Sequence, residues 1–126
     1  MARTSNARRI NIWPGTTGTD NDVQLVATAA TTYSVPVRGP HNDGLMAFQL
    51  DWGAGLTGAF SIQYTLHADP ALATDTDWVT DTSATVVGDS LTVAGSAGKA
   101  SIFVGNILPE WARIKWQHTA GSGSVW

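Results

Sequence analysis

The sequence predicts an all-β protein: an antiparallel β-sandwich, jelly-roll or immunoglobulin-like, with an extended N-terminal arm. Three observations predict it. Apolar and polar residues alternate with period two in the segments around Phe48, Phe60 and Ile114. Turn residues (Gly, Pro, Asn, Asp) punctuate the chain at roughly eight- to twelve-residue intervals. No stretch long enough for a packed helix carries a helical period.

Residues 1–21 hold Ser, Thr, Asn, Gly and Pro with Ile10, Ile12 and Trp13 as apolar points, which reads as an arm with a strand-like piece at 9–13. Residues 22–126 form the sandwich domain. Segments 23–30 and 32–38 are rich in Val, Thr and Tyr, and Pro36 places the second at a sheet edge because proline cannot donate to a ladder. After the turn cluster 39–44, Met46, Phe48, Leu50 and Trp52 share one face of a strand, and Phe60, Ile62, Tyr64 and Leu66 share one face of the next.

Between these two strands lie Gly53, Gly55 and Gly58, spaced as in the G-x-G-x-x-G dinucleotide fingerprint. That fingerprint needs a helix after the glycines, whose free amides would hold the pyrophosphate. A strand follows instead. The reading is a β-hairpin whose glycines supply positive φ, with Leu56 at the tip of its loop as an exposed contact point.

Asp69 before Pro70 suits the cap of one helical turn. Strand-like composition resumes at 78–82, 84–87, 91–94 and 100–104, with turns at Gly88-Asp89 and Gly95–Gly98. In segment 111–118 Ala112, Ile114 and Trp116 face one way and Trp111, Arg113 and Lys115 the other, and residues 119–126 enter a last short strand. The expected core is Val23, Leu25, Met46, Phe48, Leu50, Trp52, Phe60, Ile62, Tyr64, Leu66, Ile102, Val104, Ile114 and Trp116.

At 126 residues the chain fits a single sandwich domain behind its arm, without cysteine and with only 13% charged residues. Arg3, Arg8 and Arg9 are three of its seven cations, so four cations face ten acids in the remainder, a balance of −6. A basic arm on an acidic body is expected to dock on an acidic surface or on a neighbouring copy.

No catalytic constellation is read. Glu110 is the one glutamate, Ser122 lies outside any nucleophile elbow, and no cofactor is expected. His41, His67 and His118 lack ligand spacing, so no metal site is assigned. Asp75, Asp77 and Asp81 resemble the start of a calcium loop, but its glycine and closing glutamate are absent. The acidic body argues against nucleic acid, and the short apolar runs provide no membrane helix and no signal-peptide core. Six tryptophans need a reason. Trp52 and Trp116 share parity with core residues, whereas Trp13, Trp111 and Trp126 are the interface candidates beside Arg3, Arg8, Arg9 and Leu56.

The stretch FSIQYTLHADPALATDTDWVTD resembles the strand, acidic loop and tryptophan strand of small β-sandwich proteins in tailed-phage structural modules. EWARIKWQHTAGSGSVW resembles their ending, in which an aromatic-Ala/Val-Arg strand leads through a T-x-G-S-G turn to a last strand. Thr65 and His67 stand where that pattern has Ser and Asp. The resemblance covers about the second half of the chain. It implies a non-enzymatic virion structural protein, made in the host cytoplasm: a capsid cement or decoration protein that bridges capsid subunits. Its partners would be the major capsid protein or other virion proteins, and it would work as a homo-oligomer, with a trimer favoured. The alternative is a tail, baseplate or receptor-binding module that holds carbohydrate through exposed tryptophan and the Asp75/Asp77 loop.

Overall fold

The computed structural model describes residues 13, 25–26, 30–38, 46–71, 73–104 and 110–125. They form eleven strands: β1 (Leu25–Val26), β2 (Thr31–Tyr33), β3 (Val37–Arg38), β4 (Met46–Trp52), β5 (Leu56–Thr65), β6 (Val79–Asp81), β7 (Thr85–Gly88), β8 (Thr92–Ala94), β9 (Gly98–Val104), β10 (Trp111–Gly121) and β11 (Ser124–Val125). All described pairings are antiparallel.

The strands make two sheets packed face to face, a β-sandwich as the alternation predicts. The first sheet runs β1-β11-β4-β9-β7, and the second runs β2-β10-β5-β6, with β3 also on β10 and β8 also on β5. Two connections, β2 to β3 and β5 to β6, stay within a sheet; every other one crosses between sheets. The hairpin expected from β4 and β5 is therefore a corner. β4 pairs with β9 in one layer, while β5 pairs with β10 in the other. Gly53 N–H donates to Ser124 O and Gly55 N–H to Gly95 O, both at 2.9 Å, so the corner is tied to both layers.

Inward residues of both sheets fill one core: Phe48, Leu50 and Trp52 from β4, Ala100 and Ile102 from β9, Phe60, Ile62 and Tyr64 from β5, and Ala112, Ile114 and Trp116 from β10. Phe60 is its aromatic hub, with ring centroids 4.6 Å from Trp116, 5.4 Å from Trp52 and 6.4 Å from Trp13. Such tilted pairs add to the area that the rings bury.

Four expectations are corrected. Leu56 opens β5 and is fully buried, because the corner ends one residue before it. Leu66 is 80% exposed, since β5 ends at Thr65 and the alternation does not continue past it. Trp13 is 1% exposed and belongs to the core rather than to a free arm. Asp69 caps a turn and not a helix: it accepts the Ala71 N–H at 3.0 Å, and the 3-10 turn forms later, at Asp75–Asp77. Val23 lies outside the described residues, as do the side chains of Leu25, Met46 and Val104.

Pro36 acts as expected. The edge breaks between β2 and β3, and Ser34 bridges the gap: its N–H donates to Ile114 O and its hydroxyl accepts the Ile114 N–H, both at 2.8 Å. The outer edge of the second sheet thus follows β10 despite the proline.

Candidate interaction surface

Outward side chains of the second sheet gather into the one described surface dense in aromatic and cationic groups. Register decides which residues meet. Trp111 lies opposite Arg38 and Thr65, Arg113 opposite Gln63, Lys115 opposite Ser61 and Tyr33, and Gln63 opposite Thr80. Cross-strand partners share a face, so β3, β2, β10, β5 and β6 all contribute to it.

At its centre Arg113 is 8% exposed although it faces outward. Its guanidinium carbon sits 3.8 Å from the Tyr33 ring centroid and 4.2 Å from that of Trp78. The planar cation is held between two aromatic faces, a geometry in which the ring quadrupoles offset much of its desolvation. Arg113 Nε donates to Gln63 Oε1 at 2.8 Å, and Gln63 Nε2 donates to Thr80 Oγ1 at 3.3 Å. This polar chain crosses three strands, and among the described residues no buried side-chain nitrogen or oxygen lacks a partner.

Trp111 is half-buried beside this centre. Its Nε1 donates to Ala68 O at 3.2 Å, and Arg38, ion-paired with Glu110 at 3.1 Å, lies 5.9 Å over its ring. Of the sequence candidates, Trp111 alone is placed on this surface. Trp13 and Leu56 are core, while Arg3, Arg8, Arg9 and Trp126 lie outside the described residues, as does His41.

Sequence reasoning missed Arg113, Gln63, Tyr33 and Trp78 as a unit. The parity of Arg113 with Trp111 was a signal for part of it. Trp78 and Tyr33 reach the same guanidinium only through strand pairing, which parity does not encode. Of the five described tryptophans, Trp13, Trp52, Trp78 and Trp116 are buried. Among the described tryptophans, a sugar platform would have to use the half-exposed Trp111.

The acidic loop spends its charges locally. Thr74 donates to Asp77 Oδ2 from its N–H at 2.7 Å and from its hydroxyl at 3.1 Å, and these hydrogen bonds lower the Asp77 pKa. The side chain of Asp75 is not among those described. No three described His, Asp or Glu side chains come together as a metal cluster would.

Tyr64 hydroxyl donates to Asp81 Oδ2 at 2.7 Å, and Ser83 donates to Oδ1 from its N–H at 2.8 Å and its hydroxyl at 2.9 Å. Burial works against the charged Asp81, but these bonds prevail and hold its pKa below the ordinary carboxylate value. Burial foremost, and then the same hydrogen bond and the charge of Asp81, raise the Tyr64 phenol well above its usual range.

A depressed carboxylate stabilises the fold above its unfolded pKa, and that contribution is lost as pH falls through the folded value. The urea midpoint is therefore expected to drop as pH goes from about 5 to about 2. Asp81→Asn should show less of that drop than wild type. Equal drops in the two proteins would remove Asp81 as a cause.

No known protein family matches the chain, nor does any curated protein or solved structure.

Proposed function

We propose that the protein is a non-enzymatic structural subunit of a tailed-phage virion: a capsid cement or decoration protein, oligomeric, that bridges the major capsid protein or other virion proteins. The observation that carries the reading is the outer face of the second sheet, where Tyr33, Trp111, Arg38 and Lys115 surround the Arg113 stack. Tryptophan, tyrosine and arginine are the residues that protein interfaces concentrate. The polar groups at the centre of that face are committed to holding one another, which suits a rigid contact surface. The resemblance of the second half of the chain to phage sandwich proteins supports the same reading. A fold alone does not give a function, so the reading rests on this face and on the arm.

Because Trp13 is seated in the core, an arm that reaches a partner is built from the residues before it, where Arg3, Arg8 and Arg9 stand. The test keeps the full chain. Co-sedimentation with capsids of the phage that encodes the protein should capture the wild type. Replacing Arg3, Arg8 and Arg9 together by alanine should weaken capture at least about tenfold, as the loss of several steering charges does, with the melting temperature unchanged. Full capture of the triple variant would refute the arm, and absence of capture for the wild type would refute the capsid assignment.

A further inference from the structure

The sandwich is open on the side bounded by β6 and β7. Val79 on β6 lies opposite Tyr64, and Val86 on β7 lies opposite Ile102, so both valines stand at positions that turn towards the core. Yet Val79 is 65% exposed and Val86 41%. They reach solvent because, among the described residues, no further strand follows β6 or β7 in its sheet. On the outer face of the same edge, exposed Val87 lies diagonally across from exposed Phe103, which is opposite Thr85. Val79, Val86, Val87 and Phe103 are four of the six exposed large hydrophobic side chains among the described residues, and all four are on this side.

The backbone of β7 is open as well. In an antiparallel sheet each residue sends its N–H and C=O to one neighbouring strand, and successive residues alternate. Lys99 O accepts the Asp89 N–H and Asp89 Oδ2 accepts the Lys99 N–H, both at 2.9 Å, so Lys99 directs its polar groups to the β7 side. By alternation along β9, Ser101 and Phe103 do the same and bond to their partners Val87 and Thr85. Val86, between those two, sends its N–H and C=O out of the open edge.

The chemistry of this edge selects its occupant. A two-fold contact sets each residue near its own counterpart, so an edge that carries charge opposes it. Edge strands of soluble proteins are commonly guarded by charge, and the β6 edge has Asp81 and the β3 edge Arg38 with Glu110. β7 reads Thr-Val-Val-Gly and carries none. Antiparallel partners must share a face, which permits Val86 to lie opposite Val86 of a second copy, with Thr85 opposite its Val87. The outward N–H and C=O of the two Val86 residues then satisfy each other, and their side chains close the open side of both cores. Asp89 falls opposite Ser83 of the second copy, and the two Asp89 residues stand about 20 Å apart along the strands, beyond effective repulsion at physiological salt.

We propose that two copies of this chain pair β7 to β7 about a two-fold axis, Val86 against Val86, joining their five-stranded sheets into one continuous sheet. This deepens the oligomeric part of the proposed function, on which it rests, and gives a dimer in place of the trimer that the resemblance favours. It is tested on the isolated protein, so its failure leaves capsid capture untouched and the reverse also holds.

The experiment is sedimentation equilibrium of the full chain and of Val86→Lys, Val86→Glu, an equimolar mixture of these two, and Leu66→Lys. Wild type should form a reversible dimer that persists at about 1 M salt, because no charge holds it. Val86→Lys and Val86→Glu each set like charges together at the axis and should weaken association at least about tenfold. Their mixture sets opposite charges together and should recover most of the loss. Leu66→Lys removes an exposed apolar group elsewhere and should dimerise as wild type does. Melting curves within a few degrees of wild type would show that the variants fold, and hydrogen exchange on wild type gives a measurement free of substitution: the Val86 amide should be protected at high protein concentration and lose that protection on dilution. A monomeric wild type, a dimer lost at high salt, a mixture no better than its components, equal weakening by Leu66→Lys, or a Val86 amide indifferent to concentration would each overturn the proposal.

Discussion

Replacing Trp13 with alanine is expected to cost about 4 kcal/mol of folding stability, the range for emptying a buried tryptophan site. The indole is 1% exposed and reaches the Phe60 hub, so its removal leaves a void among Phe60 and the rings that Phe60 contacts. Small domains hold a net stability of about 5–15 kcal/mol, so the loss is a large fraction of the whole. Urea unfolding followed by circular dichroism measures it. Trp111→Ala provides the contrast: that ring is half-buried on the outer face, and its removal should cost about 1 kcal/mol. Equal losses at the two positions, or a Trp13 loss under about 1 kcal/mol, would show that the seat contributes little. The result also bears on any truncation. Cutting the chain beyond residue 13 would remove a core side chain, and failed assembly of such a fragment would report unfolding rather than loss of a docking arm.

Trp13 also shows where the sequence falls silent. Its neighbours Ile12 and Pro14 carry no sustained alternation, and an isolated tryptophan in a polar segment has no parity that ties it to a core. In β4, β5 and β10 the alternation was continuous, and the faces it assigned to Phe48, Leu50, Trp52, Phe60, Ile62, Tyr64, Ile114 and Trp116 are the buried ones. Period two reports which side of a strand is buried and nothing about which strand lies beside it. The β4–β5 hairpin was inferred from proximity in sequence, yet the chain changes sheets there, and Leu56, read as a loop tip, became the first buried residue of the new layer.

The three glycines at that corner divide the labour. Gly55 has φ of 101° and serves the turn as expected. Gly53 and Gly58 have no positive φ, against expectation; a Cβ at Gly58 would come within 2.7 Å of two Trp116 ring atoms and would also strike Gln117 O. Its glycine makes room for an indole on the paired strand. That requirement is set across the sheet, about sixty residues away in sequence, where no local pattern can register it.

The Arg113 stack was hidden for the same reason, and its removal is the second large effect. Arg113→Ala should cost about 3 kcal/mol. It deletes the contacts with Tyr33 and Trp78, each worth up to about 2 kcal/mol when desolvated, and takes away the donor to Gln63 Oε1, which is 7% exposed with the rest of its side chain. Two further variants separate charge from bulk. Arg113→Met restores most of the volume between the rings but leaves Gln63 without its donor, and should recover about half the loss. Arg113→Lys keeps the charge but loses the plane that lies flat between two rings, and should do no better than methionine. Urea midpoints rank the three. If lysine fully restores stability, a point charge suffices and the stacking is incidental; if methionine does, the site is merely a filled space. With alanine within about 0.5 kcal/mol of wild type, the stack would hold nothing together. The outer face would then have no rigid centre on which Trp111 and Arg38 could be presented to a partner.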